Sequence, residues 1–148
     1  MRLTNYTDYS LRVLIYLASK GKGEKATITE IAEAYGVSRN HLTKVIHQLG
    51  KMGVIKTIRG RGGGMVLYKD PRDIIIGEVV RETEEDFYLV ECFDRQRNQC
   101  VITPICELKS VFHEALVAYL DVLDSYTLAD IVTRPVLYNN LFAEKKAK

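Results

Sequence analysis

The sequence predicts a mainly α-helical fold with one small β-hairpin and a long helix towards the C-terminus. Three observations predict it. Apolar residues recur at three- and four-residue spacing through the first fifty positions. The period turns strand-like after Gly53, on either side of the glycine-rich turn RGRGGG. A continuous apolar stripe at helical spacing then runs onward from Pro104.

Leu11, Leu14, Ile15 and Ala18 place a first helix over about 7–19, with that stripe inward. GKGEKA is a loop. Thr27 and Glu30 form a T-x-x-E pattern, which caps a helix running to about Tyr35 with Ile28, Ile31 and Ala32 inward. Gly36 permits a sharp turn. Ser38 can cap a third helix that buries Leu42, Val45, Ile46 and Leu49. Strands are expected at Val54–Ile58 and Met65–Tyr68. Asp70-Pro71 marks a boundary, followed by a short helical or extended segment over 74–83 and the acidic run at 84–86. Residues 91–106 read as loop, because DRQRNQ lacks a period. Pro104 suits the first turn of the longest helix. Its stripe holds Ile105, Leu108, Phe112, Ala115, Leu116, Tyr119, Val122 and Leu123, and about 20 residues span roughly 30 Å. Thr127 caps a last short helix, and FAEKKAK is expected to fray.

Two helices, a tight turn and a basic hairpin make a winged helix-turn-helix. The charge distribution agrees. Residues 1–70 hold 12 Lys and Arg against 5 Asp and Glu, whereas 71–148 hold 9 against 14. No acid lies between Glu33 and Asp70, a window that carries Arg39, Lys44, Lys51, Lys56, Arg59, Arg61 and Lys69. A phosphate backbone rewards such a stretch through counterion release. The candidate DNA contacts are Ser38, Arg39, Asn40, Thr43, Lys44 and His47 on the third helix, with Arg59 and Arg61 on the wing. Proteins of this type place two reading helices about one DNA turn apart, roughly 34 Å. The long helix is therefore expected to pair two subunits, and a double-stranded DNA operator, an inverted repeat, is the expected partner. The three expected regions are the DNA-binding lobe at 1–70, a connector and cysteine loop at 71–103, and a dimerisation helix with its tail at 104–148.

No apolar run approaches the roughly 18 residues of a membrane span. The start MRLTNYTDY lacks the order of a secretory signal, so a cytoplasmic location is expected. Ser-His-Asp, P-loop and H-E-x-x-H patterns are missing, and RGRGGG precedes a strand rather than a helix. Enzymatic activity is not expected, and a scaffold that merely dimerises does not account for the acid-free window.

All three cysteines, Cys92, Cys100 and Cys106, fall in ECFDRQRNQCVITPIC, spaced C-x7-C-x5-C. Cytosolic thiols stay reduced, which argues against a structural disulfide. Zinc sites favour pairs two to four residues apart, and His113 could complete one only from the long helix. Buried inert thiols, reversible thiol oxidation and iron–sulfur ligation all remain open on spacing alone.

The start LTNYTDYSLRVLIYLA, the segment TITEIAEAYGVSRNHLTKVIHQLGKMG, the wing IRGRGGG and IIIGEVVRETE followed by VECF resemble the winged-helix iron–sulfur regulators over about residues 1–124. The likeness is to their nitric-oxide-sensing repressors. IscR-type members carry a histidine shortly after the third cysteine, whereas here none follows Cys106 until His113. The resemblance implies a 4Fe–4S cluster, in preference to 2Fe–2S, on Cys92, Cys100 and Cys106. It further implies Asp8 from the partner subunit as fourth ligand, with Arg12 one turn on as its neighbour. Asp8 also suits a plain helix first turn, paired with Arg12 at i,i+4. Taken together, a homodimeric repressor controlled by nitric oxide is expected; a cluster-free thiol-based redox regulator is the alternative.

Overall fold

A computed structural model describes residues 2–146. Helix α1 (Asn5–Lys20) starts at Thr4, whose hydroxyl accepts from the Thr7 amide. It runs through the middle of the winged lobe, with neighbours on several sides. Its fully buried residues include Thr7, Ser10, Val13, Leu14 and Leu17, while Leu11, Ile15 and Ala18 are only half-buried. The expected stripe is thus rotated, because a helix covered on more than one side has no single apolar face. The two buried serines are satisfied locally: Ser10 donates to the Tyr6 carbonyl and Ser19 to that of Tyr16, both at 2.8 Å.

Helix α2 (Ile28–Tyr35) carries the expected capping box. Thr27 N–H donates to Glu30 Oε2 at 2.6 Å, and the Glu30 amide donates to Thr27 Oγ1 at 3.2 Å. Burial pushes the Glu30 carboxyl up, but hydrogen bonds from Thr27 and Lys20 outweigh it and hold the group below its usual value. Gly36 ends α2 in the left-handed region at φ 67°, where a Cβ is disfavoured. Ser38 caps α3 (Arg39–Lys51), which buries Leu42, Val45 and Leu49; Ile46 sits half-buried at the edge of that stripe.

Strands β1 (Ile55–Ile58) and β2 (Gly64–Leu67) pair antiparallel, with Ile55 opposite Leu67 and Ile58 opposite Gly64. Each lies within a residue of its expected place. Ala26 bridges Met65 through two backbone bonds of 3.0 and 2.8 Å, which joins the hairpin to the loop before α2.

Helix α4 (Ile76–Thr83) resolves the ambiguous 74–83 segment: it is helical from Ile76 and buries Val79 and Val80. A 3₁₀ turn at Thr103–Ile105 holds Pro104, and Cys106 at φ −82°, ψ 106° is extended. The long helix α5 therefore begins at Glu107, not at Pro104, and ends at Asp124. None of its residues is fully buried. The expected stripe is split between two faces. Of its residues, Phe112, Leu116, Tyr119 and Leu123 are half-buried, whereas Leu108, Ala115 and Val122 are exposed, together with Val111 and Ala118 beside them.

Thr127 caps the short α6 (Leu128–Ile131) through a second capping box with Asp130. The tail differs from expectation. Residues Pro135–Lys146 form α7, which packs on α1 and α2; residues 147–148 lie outside the described range. Phe142 sets its ring 4.9 Å from that of Tyr16 and 5.2 Å from that of Tyr35. Asn139 Nδ2 donates to the Ser19 carbonyl at 2.9 Å. Among the described residues, no helix is long and apolar enough to cross a membrane.

Candidate nucleic-acid interface and cysteine loop

Once Leu42, Val45 and Leu49 are committed to the core, 3.6-residue periodicity dictates what α3 shows to solvent. Ser38, Arg39, Asn40, Thr43, Lys44 and His47 are all exposed and follow one stripe at three- and four-residue spacing. Ser38 Oγ accepts from the Asn40 amide at 3.2 Å, which leaves its proton free to be donated. The Thr43 hydroxyl donates to the Arg39 carbonyl at 2.9 Å, so it offers lone pairs and a methyl group outward. Charged and amide tips along such a helix match phosphates and base edges in the major groove.

The wing lies beside this face. A cleft of about 400 Å³ runs between α3 and the hairpin, lined by Thr43 and Ile46 on one side and Thr57, Ile58 and Gly60 on the other. Arg59 and Arg61 are exposed at its tip, and neither forms an ion pair among the described residues. The tip is tightly built: a Cβ on Gly63 would overlap the Ile58 carbonyl oxygen. Lys25 Nζ donates to the Gly62 carbonyl at 2.7 Å, anchoring the tip from a residue 37 positions away. Sequence reasoning passed over Lys25, since nothing local marks it.

It also passed over His41. This residue is exposed on α3, and its ring stacks on Tyr9 of α1 with centroids 6.2 Å apart. The expected Asp8–Arg12 pair is present. Arg12 Nε donates to Asp8 Oδ1 at 3.0 Å, and a second nitrogen lies 2.8 Å from Oδ2. The guanidinium lies 5.8 Å from the Tyr9 ring centre and 5.6 Å from that of Tyr35. Burial pushes the Tyr35 hydroxyl well above its ordinary value, so it stays neutral. Asp8 is thereby paired with Arg12 through both oxygens while its side chain remains 44% exposed.

The cysteine stretch is an ordered loop rather than featureless coil. Cys92 sits in a 3₁₀ turn, Glu91–Phe93. Asp94 Oδ1 accepts from the Gln96 amide at 2.9 Å, and Asn98 Oδ1 from the Cys100 amide at 3.1 Å. These are successive Asx turns, a signal legible in D-x-Q and N-x-C. Thr103 Oγ1 then donates to the Cys100 carbonyl at 2.9 Å. Cys106 is the N-cap of α5 and gives no side-chain cap bond, so no side chain caps the first amides of that helix, an end that favours negative charge. All three cysteines are free and half-buried.

Among the described residues, no three His, Cys, Asp or Glu side chains lie close enough together to hold a metal ion. The three sulfurs and Asp8 are thus not brought together within one chain. His113 instead lines a pocket of about 440 Å³ with Phe87, Phe93 and Lys109. The donor chemistry still suits an iron–sulfur cluster: three free thiols on one loop, with a fourth position to be filled from outside the loop.

Comparison with known proteins places this geometry. The Rrf2 family model, described as an iron-dependent transcriptional regulator, matches residues 3–134. The HTH-type transcriptional regulator NsrR of Bacillus subtilis is 64% identical over 132 residues, 89% of this chain and 90% of that protein. The NsrR of Geobacillus kaustophilus is 51% identical over 146 residues, 99% of both chains. Among solved structures, T. potens IscR superposes with a TM-score of 0.72 at 28% identity, covering 90% of this chain and 87% of that one.

Proposed function

This chain belongs to the Rrf2 family of iron-dependent transcriptional regulators, and from that premise we propose a nitric-oxide-responsive repressor that binds its operator as a homodimer. The family fixes the coarser statement: a DNA-binding transcription regulator, not an enzyme. The finer one is that Cys92, Cys100 and Cys106 hold a 4Fe–4S cluster completed by Asp8 of the partner subunit. The relatives at 64% and 51% identity are named NsrR, which supports that reading. So does the absence of a histidine between Cys106 and His113.

One observation carries the proposal. The thiol loop leads directly into a helix whose outer face has no cover within the described chain. Leu108, Val111, Ala115, Ala118 and Val122 follow a three-four spacing and are all exposed. That is the seam by which two helices pair, with alanines allowing close approach. Cys106 stands at the head of this seam.

When bound, the cluster supplies iron that nitric oxide can attack. The chain's own residues do the rest. Cys92, Cys100 and Cys106 tie the loop to the head of α5. Arg12 holds the Asp8 carboxylate at the first turn of α1, within the lobe that carries α3. A carboxylate would hold iron less tenaciously than a thiolate, so Asp8 would be the yielding joint between subunits, and its release would loosen the spacing of the two α3 helices. A thousandfold loss of operator affinity corresponds to about 4 kcal/mol.

Iron and acid-labile sulfide in protein purified without oxygen test this. The expected result is about four of each per protomer, as a 4Fe–4S cluster requires, with a less stable chromophore in Asp8→Ala. Three free thiols with neither iron nor sulfide would favour the second reading, a cluster-free thiol sensor, which draws on the same free cysteines.

A further inference from the structure

The phrase IIIGEVVRETE, residues 74–84, takes no part in the DNA-facing surface or the thiol set, yet its residues converge on one joint. The Ile76 amide donates to the Tyr126 carbonyl at 2.9 Å, and the Leu128 amide to the Ile74 carbonyl at 2.8 Å. These bonds zip the start of α4 to the chain just beyond α5. Further along α4, Arg81 forks onto Asp124, the last residue of α5. Nη1 donates to Oδ1 at 2.5 Å and Nη2 to Oδ2 at 2.7 Å. Gly77, one turn earlier on α4, leaves the notch that this carboxylate occupies: a Cβ there would overlap Asp124 Oδ1. Glycine inside a helix is unfavourable relative to alanine, and here the space explains it. The opposite face of α4 is fixed, since Val79 is buried at 1% exposure in the core of the winged lobe.

We propose that Gly77, Arg81 and Asp124 form a positioning clamp that sets the angle between the pairing helix and the winged lobe, and through it the separation of the two reading helices on DNA. This rests on the reading that α5 pairs two copies. The ion pair is half-exposed, at 40% and 38%, so it adds little to folding stability. Its two-pronged geometry instead fixes direction. Leverage makes direction matter. At 1.5 Å per residue, α5 is about 27 Å long, so a tilt of about 10° moves its far end by roughly 5 Å. That exceeds one base-pair step of about 3.4 Å, whereas paired reading helices must match half-sites about one turn apart.

The test uses full-length Arg81→Met, Asp124→Asn and Gly77→Ala, with the reversed pair R81D/D124R. The probes are duplexes selected by the wild-type protein from a random pool, then rebuilt with half-sites one base pair closer or farther apart. The expected single variants stay dimeric by sedimentation and keep the wild-type iron content. They lose about tenfold in affinity, 1.4 kcal/mol, at the selected spacing, and lose less at one of the altered spacings. The reversed pair recovers the selected spacing. Wild-type affinity and spacing preference in Arg81→Met and Asp124→Asn would overturn the clamp, as would an equal loss at every spacing. A variant that turns monomeric also counts against it. A wild-type protein that is itself monomeric, or that binds DNA regardless of iron, would instead overturn the proposed function, and those readouts are independent of spacing.

Discussion

Replacing Arg59 and Arg61 together by alanine gives the sharpest prediction about the DNA-facing surface. Both side chains are exposed on the wing tip, and neither is engaged by an acid among the described ion pairs. Folding should therefore be little changed. Each phosphate neutralised contributes about 0.9 to the slope of log K against log salt. Two arginines in each of two protomers bring about 3.6 in all. Between 50 and 200 mM salt, the wild-type protein should then lose roughly 150-fold more affinity than the double variant. Fluorescence anisotropy with a selected duplex across that salt range measures it, with a thermal melt as the folding control. An unchanged slope, in protein that melts normally, would remove the wing from the DNA contact and refute the charge argument.

Other outcomes follow from the same geometry. Leu108→Glu combined with Val111→Glu should yield a folded monomer by sedimentation, because both side chains are 55% exposed in the protomer and lie on the proposed seam. A dimer surviving that change would place the interface elsewhere. Thr27→Ala removes the cap of α2 and should cost about 1 kcal/mol, about 3 °C in melting temperature. The Glu30 partner of that cap titrates below its usual value when folded. Its contribution is therefore complete above the unfolded carboxyl pKa and is lost as pH falls through the folded one; the gap between wild type and variant should close in acid. Phe142→Ala should cost about 2 kcal/mol, less than a fully buried ring, and should raise amide exchange in α7 ahead of the rest.

Local features were legible in the sequence, and features that depend on distant packing were not. Thr27 with Glu30, Gly36 and Ser38 mark their helix ends by chemistry confined to a few residues, and all three ends lie where they were expected. The hairpin is legible for the same reason. The inward face of α1 was misplaced because several elements cover that helix, so polar Thr7 and Ser10 are more buried than Leu11 or Ile15. Helix α7 was missed because Val136, Leu137 and Leu141 look outward, while its hold depends on Phe142 and Asn139 reaching residues more than a hundred positions away. The stripe of α5 was read as one surface; only the fold shows that Phe112 and Leu116 turn one way and Leu108 and Val122 the other. For the thiols, spacing revealed a cluster of cysteines but not what completes it. In the proposed centre the completing group belongs to the partner subunit, and no local pattern encodes a contact between two chains.

The most direct test of the central claim is operator binding by anaerobic, iron-reconstituted protein before and after nitric oxide, with the visible absorption recorded on the same sample. The account predicts that absorption and tight binding disappear together, with affinity falling by about a thousandfold. Undiminished affinity after the chromophore has been destroyed would contradict it.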